Sequence, residues 1–214
     1  FRRPPGSTLF PYTTLFRSGL FDSFCLQRDL QRNLANLRRL REWTAANGKR
    51  LCLLANSGCL RFCPGQVFHD NMVAHEVEID ETANIPNWTP HVCWNLYRKR
   101  ENWPAVLQAT WIRPEDLHHY EGLVDIVKLA TRMHINPRLV IHAYAERRYR
   151  GNLLDLFEPG FGPAFAPYII DSTRIPDDWF DRTSGCTGHC EQCAYCRNVL
   201  EQALVKTDLG EETL

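Results

Sequence analysis

An apolar run of five residues, Leu51 to Ala55, breaks abruptly at Asn56-Ser57-Gly58 and is preceded by an amphipathic helix pattern. No other feature constrains the fold as much. The run is too short for a buried helix, so it reads as a buried strand. Upstream, from Asp29 to Asn47, Leu30, Leu34, Leu37, Leu40 and Trp43 recur at steps of three and four, which is one face of a helix. Asp29 is placed to cap its start and Gly48 its end. Helix followed directly by strand is half of a βαβ repeat.

The pattern continues downstream. Leu107 to Ile112 reads as a strand ending at Arg113-Pro114, and Pro114, Glu115 and Asp116 suit the first turn of a helix. Val124 to Ala130 reads as a third strand, and Pro137 to Tyr149 as a helix closed by Gly151. Short apolar strands alternating with helices predict an α/β fold with parallel strands. About three strands are too few for a complete (β/α) barrel of about 250 residues, so the expected architecture is an incomplete TIM-type barrel over residues 19–157. Pro159 to Pro167, rich in Gly, Pro and Phe, reads as a linker within residues 158–184, where Tyr168 to Asp171 adds a short strand. Residues 185–214 read as a cysteine-rich knuckle and a last helix, Asn198 to Val205.

Residues 1–18 stand apart. Thr8 to Ser18, Thr-Leu-Phe-Pro-Tyr-Thr-Thr-Leu-Phe-Arg-Ser, resembles one translated frame of a common sequencing adapter, and such segments are left out of fold reasoning. On that reading the natural sequence starts near Gly19 and the chain is the C-terminal part of a larger protein.

Twenty-five basic residues balance twenty-five acidic ones, so no global field draws the chain to nucleic acid or an anionic membrane. The arginines on the first helix, Arg28, Arg32, Arg38, Arg39 and Arg41, read as a solvated face in preference to an RNA-binding stripe. No apolar run approaches the roughly 20 residues that span a bilayer, and the expected location is cytoplasmic. Seven of the nine cysteines fall at ligand-like spacings, which in a reducing compartment indicates metal before disulfides.

Two groups carry the chemistry. The strand exit delivers Cys59, Cys63, His69 and His75 in quick succession, with Cys93 available from a later segment. Thiolates take soft metals, and Gly58 lets the backbone turn closely around a cluster. His69 and His75 are candidates to touch substrate or cluster. At the other end stand Cys186, Cys190, Cys193 and Cys196, four thiols within eleven residues. This spacing fits a tetrahedral zinc or an iron–sulfur centre. Cys25 and Cys52 read as ordinary core cysteines. Lys128 and Arg132 lie around a strand's C-terminal end, the face where parallel α/β folds build active sites, and suit a carboxylate or phosphate. His75-Glu76 has Ile79 where a metalloprotease helix needs its second histidine, and neither a Gly-x-Ser-x-Gly elbow nor a P-loop occurs.

The order Asn56-Ser57-Gly58-Cys59, Cys63-Pro64, His69, Asn71, His75, Trp111 to Leu117, Lys128, Arg132, Tyr144 and Gly151 to Leu156 resembles peptidase family U-thirty-two, the collagenase-like proteases. The likeness covers nearly all of Gly19 to Cys196. It departs at Ser57, where a glutamate is expected, and at Gly65 and Gln66, where an aromatic and an arginine are. The resemblance implies a (β/α) barrel with an oxygen-sensitive 4Fe-4S cluster on cysteines. It assigns Cys59, Cys63 and Cys93 to that cluster, with a fourth ligand from the terminal group, or else zinc at the terminal group. Some members are named proteases; others are implicated in hydroxylating RNA bases or the ubiquinone ring without molecular oxygen. The expected function is oxidative modification of an RNA base or aromatic metabolite. A peptidase acting on collagen-like substrates, and a non-enzymatic metal-stabilised subunit that binds a partner, stand as alternatives.

Overall fold

A computed structural model describes residues 21–74, 92–132 and 134–207. In chain order the strands are β1 (Ser23–Cys25), β2 (Arg50–Leu54), β3 (Ile126–Lys128), β4 (Tyr168–Ile170) and β5 (Leu204–Lys206). The helices are α1 (Leu34–Ala46), α2 (Gln66–Ala74), α3 (Val92–Tyr97), α4 (Ala105–Gln108), α5 (Pro137–Ala145), α6 (Gly162–Phe165), α7 (Trp179–Ser184) and α8 (Tyr195–Ala203). Strands β1, β2 and β3 form a parallel sheet in that order, and β4 pairs antiparallel with β5. The parallel α/β expectation holds to this extent; among the described residues the sheet has three strands and does not close on itself.

The alternation within β2 sets the two faces of the sheet. Leu51 and Leu53 are buried against Leu37 of α1, together with Ile112, Tyr120, Val140 and Tyr144. The opposite face carries the register rows Cys25–Cys52–Ile126 and Leu54–Lys128, all half-buried or exposed. A second core gathers Trp111, Phe157, Phe161, Phe165, Ile170, Trp179, Val199 and Leu200. The rings of Trp111 and Trp179 stack 5.5 Å apart at 8°.

Several boundaries differ from the sequence reading. Asp29 does not cap α1: its carboxylate accepts from the Phe62 amide, and Asn33 caps the helix by accepting from the Asn36 amide at 3.0 Å. A cap of this type is worth about 1 kcal/mol. Gly48, at φ +63°, follows the helix end as expected. The strand expected over Leu107 to Ile112 does not form. Its first residues complete α4, and the following extended segment bonds the end of β2 only through the Ile112 amide to the Ala55 carbonyl at 2.8 Å. Helix α5 stops at Ala145, six residues before Gly151. Pro159 to Pro167, read from composition as a linker, contributes the fully buried Phe161 and Phe165 to the second core. No helix among the described residues is long and apolar enough to cross a membrane.

A candidate cysteine-lined site

The first cysteine group is positioned by a knot at the C-terminal end of β2. Asn56, fully buried, donates through Nδ2 to the carbonyls of Ala130 at 2.7 Å and Leu156 at 3.0 Å, and accepts the Ala130 amide at 2.6 Å through Oδ1. One side chain thereby joins the exits of β2 and β3 to the segment before Phe157. The backbone repeats the tie: the Glu158 amide donates to the Asn56 carbonyl and the Gly58 amide to the Glu158 carbonyl, each at 3.1 Å. Gly58 is required by this approach, because a Cβ there would lie 2.5 Å from the Pro159 carbonyl oxygen and 3.1 Å from the Phe157 Cβ.

Cys59 emerges from this knot half-buried. Its sulfur accepts from Arg28 Nη1 at 2.8 Å, while Arg28 Nη2 holds both carboxylate oxygens of Asp70 on α2, at 3.1 and 3.0 Å. Cys63 and Cys93 are also half-buried. Burial pushes the Cys93 thiol up, and the charges of Cys59 and then Cys63 push it further. Tyr97, one turn along α3 from Cys93, is buried, and its hydroxyl has no hydrogen-bond partner among the described residues. Burial raises its pKa, followed by the charges of Cys93 and Cys59.

The terminal group lies between α7 and α8. Cys186, Cys190, Cys193 and Cys196 all line one cavity of about 340 Å³, with Asp181 and His189 at its wall. Burial raises the Cys196 thiol to about 11, opposed by the charge of Arg32. Burial also raises Cys190, with Cys186 adding to the rise and Arg61 opposing it. The segment Arg61-Phe62 links the two groups: the Phe62 ring lies 3.6 Å from the place a Gly188 Cβ would take, and the Arg61 guanidinium acts on Cys190. Phe62 sits at φ +53°, a left-handed conformation that costs a non-glycine residue roughly 1–2 kcal/mol. The Asp29 carboxylate fixes its amide.

The arginines expected on a solvated face divide. Arg38 and Arg39 are exposed, Arg41 pairs with Asp125 at 2.7 Å, and Arg28 holds Cys59. Arg32 is buried; its guanidinium lies over Trp111 and Trp179, and Nε donates to the Trp111 carbonyl at 3.1 Å. Burial lowers its pKa to about 10. No sequence signal marks Arg32, because its partners lie far along the chain.

The remaining candidates are more dispersed. His69 is half-buried on α2, beside Asp70, and His75 lies outside the described residues. Lys128, exposed at the end of β3, acts on Cys52 of the neighbouring strand, and Arg132 is exposed beyond it. Cys25 and Cys52 are not ordinary core residues: Cys25 is exposed, and the two sulfurs are 3.7 Å apart.

As placed, no three His, Cys, Asp or Glu side chains among the described residues converge closely enough to hold an ion. The charge around the thiols nevertheless fits a thiolate-bound group. Arg28, Arg32 and Arg61 set three guanidinium groups beside Cys59, Cys196 and Cys190, and the buried Tyr97 hydroxyl beside Cys93 is an unused donor. A buried cation such as Arg32 and an unused buried donor such as the Tyr97 hydroxyl are stabilised by nearby anionic sulfur.

No family model matches the chain, and no solved structure does. Among curated proteins it is similar to an uncharacterized protease of Methanocaldococcus jannaschii, 31% identical over 185 residues, which cover 84% of this chain and 52% of that protein. It is also similar to an isoleucine–tRNA ligase of Exiguobacterium sibiricum, 29% identical over 113 residues, covering 52% of this chain and 12% of the ligase. Over most of its own length, then, the chain is similar to a protein named as a protease, and it spans about half of that protein.

Proposed function

We propose that the chain is the cysteine-bearing part of an iron–sulfur enzyme of the U-thirty-two type, its parallel sheet being a portion of a (β/α) barrel. In this reading Cys59, Cys63 and Cys93, with one sulfur from the terminal group, hold a four-iron cluster, and the enzyme oxidatively modifies an RNA base or an aromatic metabolite. The observation that carries it is that two cysteine groups from distant parts of the chain border the same segment, Arg61-Phe62, with a guanidinium group at each: Arg28 on the Cys59 sulfur and Arg61 acting on Cys190. A cluster there would supply one-electron transfer. The chain's own residues do the rest: Arg28 orients the Cys59 sulfur, the knot at Asn56 fixes the turn that presents it, and the Tyr97 hydroxyl offers a hydrogen bond to a sulfur. Lys128 and Arg132 would meet an anionic group of the substrate.

Anaerobic purification, followed by iron, sulfide and zinc analysis, tests this. A brown protein with about four irons, lost in Cys59→Ser and Cys93→Ser, is expected. If Cys186→Ser or Cys196→Ser also loses iron, the tail supplies the fourth ligand; if it loses only zinc, the tail holds its own ion. A colourless protein carrying zinc alone overturns the reading.

A second reading rests on the name of the archaeal relative. As a peptidase, the purified protein would cleave a collagen-like substrate with its iron removed by chelation, a result the cluster-dependent reading does not allow.

A further inference from the structure

Cys25 and Cys52 form a third cysteine site, apart from both ligand groups. They are register partners on neighbouring parallel strands, both are free thiols, and their sulfurs stand 3.7 Å apart on the face of the sheet opposite Leu51 and Leu53, which no other described segment covers at Cys25. Adjacent strands lie about 4.8 Å apart, within the roughly 4.4–6.8 Å between α-carbons that a disulfide spans. Closing the bond requires the sulfurs to approach by only about 1.7 Å, toward the usual S–S length of about 2.0 Å. Side-chain rotation can supply that without repacking the core, because this face is opposite Leu51 and Leu53.

We propose that Cys25 and Cys52 are a reversible dithiol–disulfide site whose co-reactant is a low-molecular-weight disulfide. The two thiols have different roles. Cys25 is exposed and meets the co-reactant first: its thiolate attacks one sulfur of the small disulfide, forms a mixed disulfide and releases one thiol. Cys52 then attacks the Cys25 sulfur, forms the Cys25–Cys52 bond and releases the second thiol. Two protein thiols are oxidised by two electrons, one small disulfide is reduced to two thiols, and the two protons leave on those products. Burial and the neighbouring Cys25 hold the Cys52 thiol at about 11, with the Lys128 charge opposing the rise. Cys52, half-buried, is therefore slower than the exposed Cys25 toward oxidants in solution and attacks most readily once its target is the neighbouring Cys25 sulfur.

The position gives the bond a consequence for the first cysteine group. Among the described residues β1 is an edge strand of three residues, and Arg28, three positions past Cys25, holds the Cys59 sulfur. Oxidation fastens β1 covalently to β2 and with it the segment that carries Arg28; reduction leaves that segment held by non-covalent contacts, among them the buried Leu26 and the Arg28–Asp70 ion pair.

The test uses the 214-residue chain with oxidised glutathione as the probe. Alkylation, tryptic digestion and mass spectrometry should show the peptides 18–28 and 51–61 joined, and alkylation of Cys25 and Cys52 reduced together by at least about tenfold, a change dithiothreitol reverses. Because peptide 51–61 also contains Cys59, Cys52→Ser decides the partner: it should abolish the joined peptides and leave a glutathione adduct on Cys25. Persistence of the joined peptides in Cys52→Ser, absence of the adduct on Cys25, or unchanged alkylation of both thiols after oxidation overturns the proposal. Iron analysis of the same sample reports separately on the cluster reading.

Discussion

Replacing Asn56 with alanine tests whether the knot at the end of β2 organises the first cysteine group. The substitution removes three hydrogen bonds, at 2.7, 3.0 and 2.6 Å, and leaves the Ala130 amide and the carbonyls of Ala130 and Leu156 without their partner. A hydrogen bond contributes a net of about 1 kcal/mol, and a buried polar group left unmet costs about 1–3 kcal/mol. With three such groups the expected loss is about 3–9 kcal/mol, a large share of the 5–15 kcal/mol of a typical domain. Asn56→Asp keeps an acceptor for the Ala130 amide but turns a carboxylate toward two carbonyls, so it should be no milder. Urea unfolding followed by circular dichroism measures the effect, provided the slope of the transition is unchanged. Under native conditions Cys59 should also alkylate faster as its turn loosens. A loss below about 1 kcal/mol at constant slope, less than the cost of even one unmet buried group, would refute the argument that Asn56 ties these segments together.

Gly58→Ala should destabilise by about 1–3 kcal/mol in the same assay, since its Cβ would meet the Pro159 carbonyl at 2.5 Å. The Leu51 amide and then Arg41 hold the Asp125 carboxyl below its ordinary value. Its contribution is therefore complete above about pH 4, the unfolded carboxylate value, and is lost as pH falls through the lower folded value. Asp125→Asn should flatten that acid limb in unfolding curves taken at successive pH values. Cys93, Cys190 and Cys196 carry thiols raised by burial, Cys196 to about 11. Metal uptake must displace their protons, so affinity should rise with pH through the neutral range, read by calorimetry in buffers of differing ionisation enthalpy; pH-independent uptake would count against thiolate ligation.

What the sequence disclosed followed periodicity and local chemistry. The run Leu51 to Ala55 announced β2 because a short apolar stretch bounded by turn residues is a local signal, and Asn56-Ser57-Gly58 announced its end. Leu107 to Ile112 misled, because a short apolar run does not distinguish a strand from a buried helix turn; Pro104 and Ala105 start α4 immediately before it. The cap at Asn33 was hidden because Asp29, an equally good capping residue, is occupied by the Phe62 amide 33 positions away. Composition misjudged Pro159 to Pro167, where Phe161 and Phe165 pack against Tyr97 and Trp103. The cysteine spacings marked both candidate groups. Their common border at Arg61-Phe62, the buried Arg32 and the Cys25–Cys52 pair depend on strand register and on contacts between distant segments, which spacing does not encode.

The terminal thiols sit in a segment fastened at both ends. Before it, Trp179 and Phe180 of α7 are buried; after it, α8 buries Val199 and Leu200 and runs into β5, which is laced to β4. The surrounding packing therefore already limits how far the four sulfurs, which line one cavity, can stray from one another. In a zinc finger the ion is the only reason the chain condenses; were an ion held here, a chelator would remove it and the frame built by α7, α8 and β5 would stay. Loading and unloading would then be a local event that a cell could repeat without sending the protein back through folding.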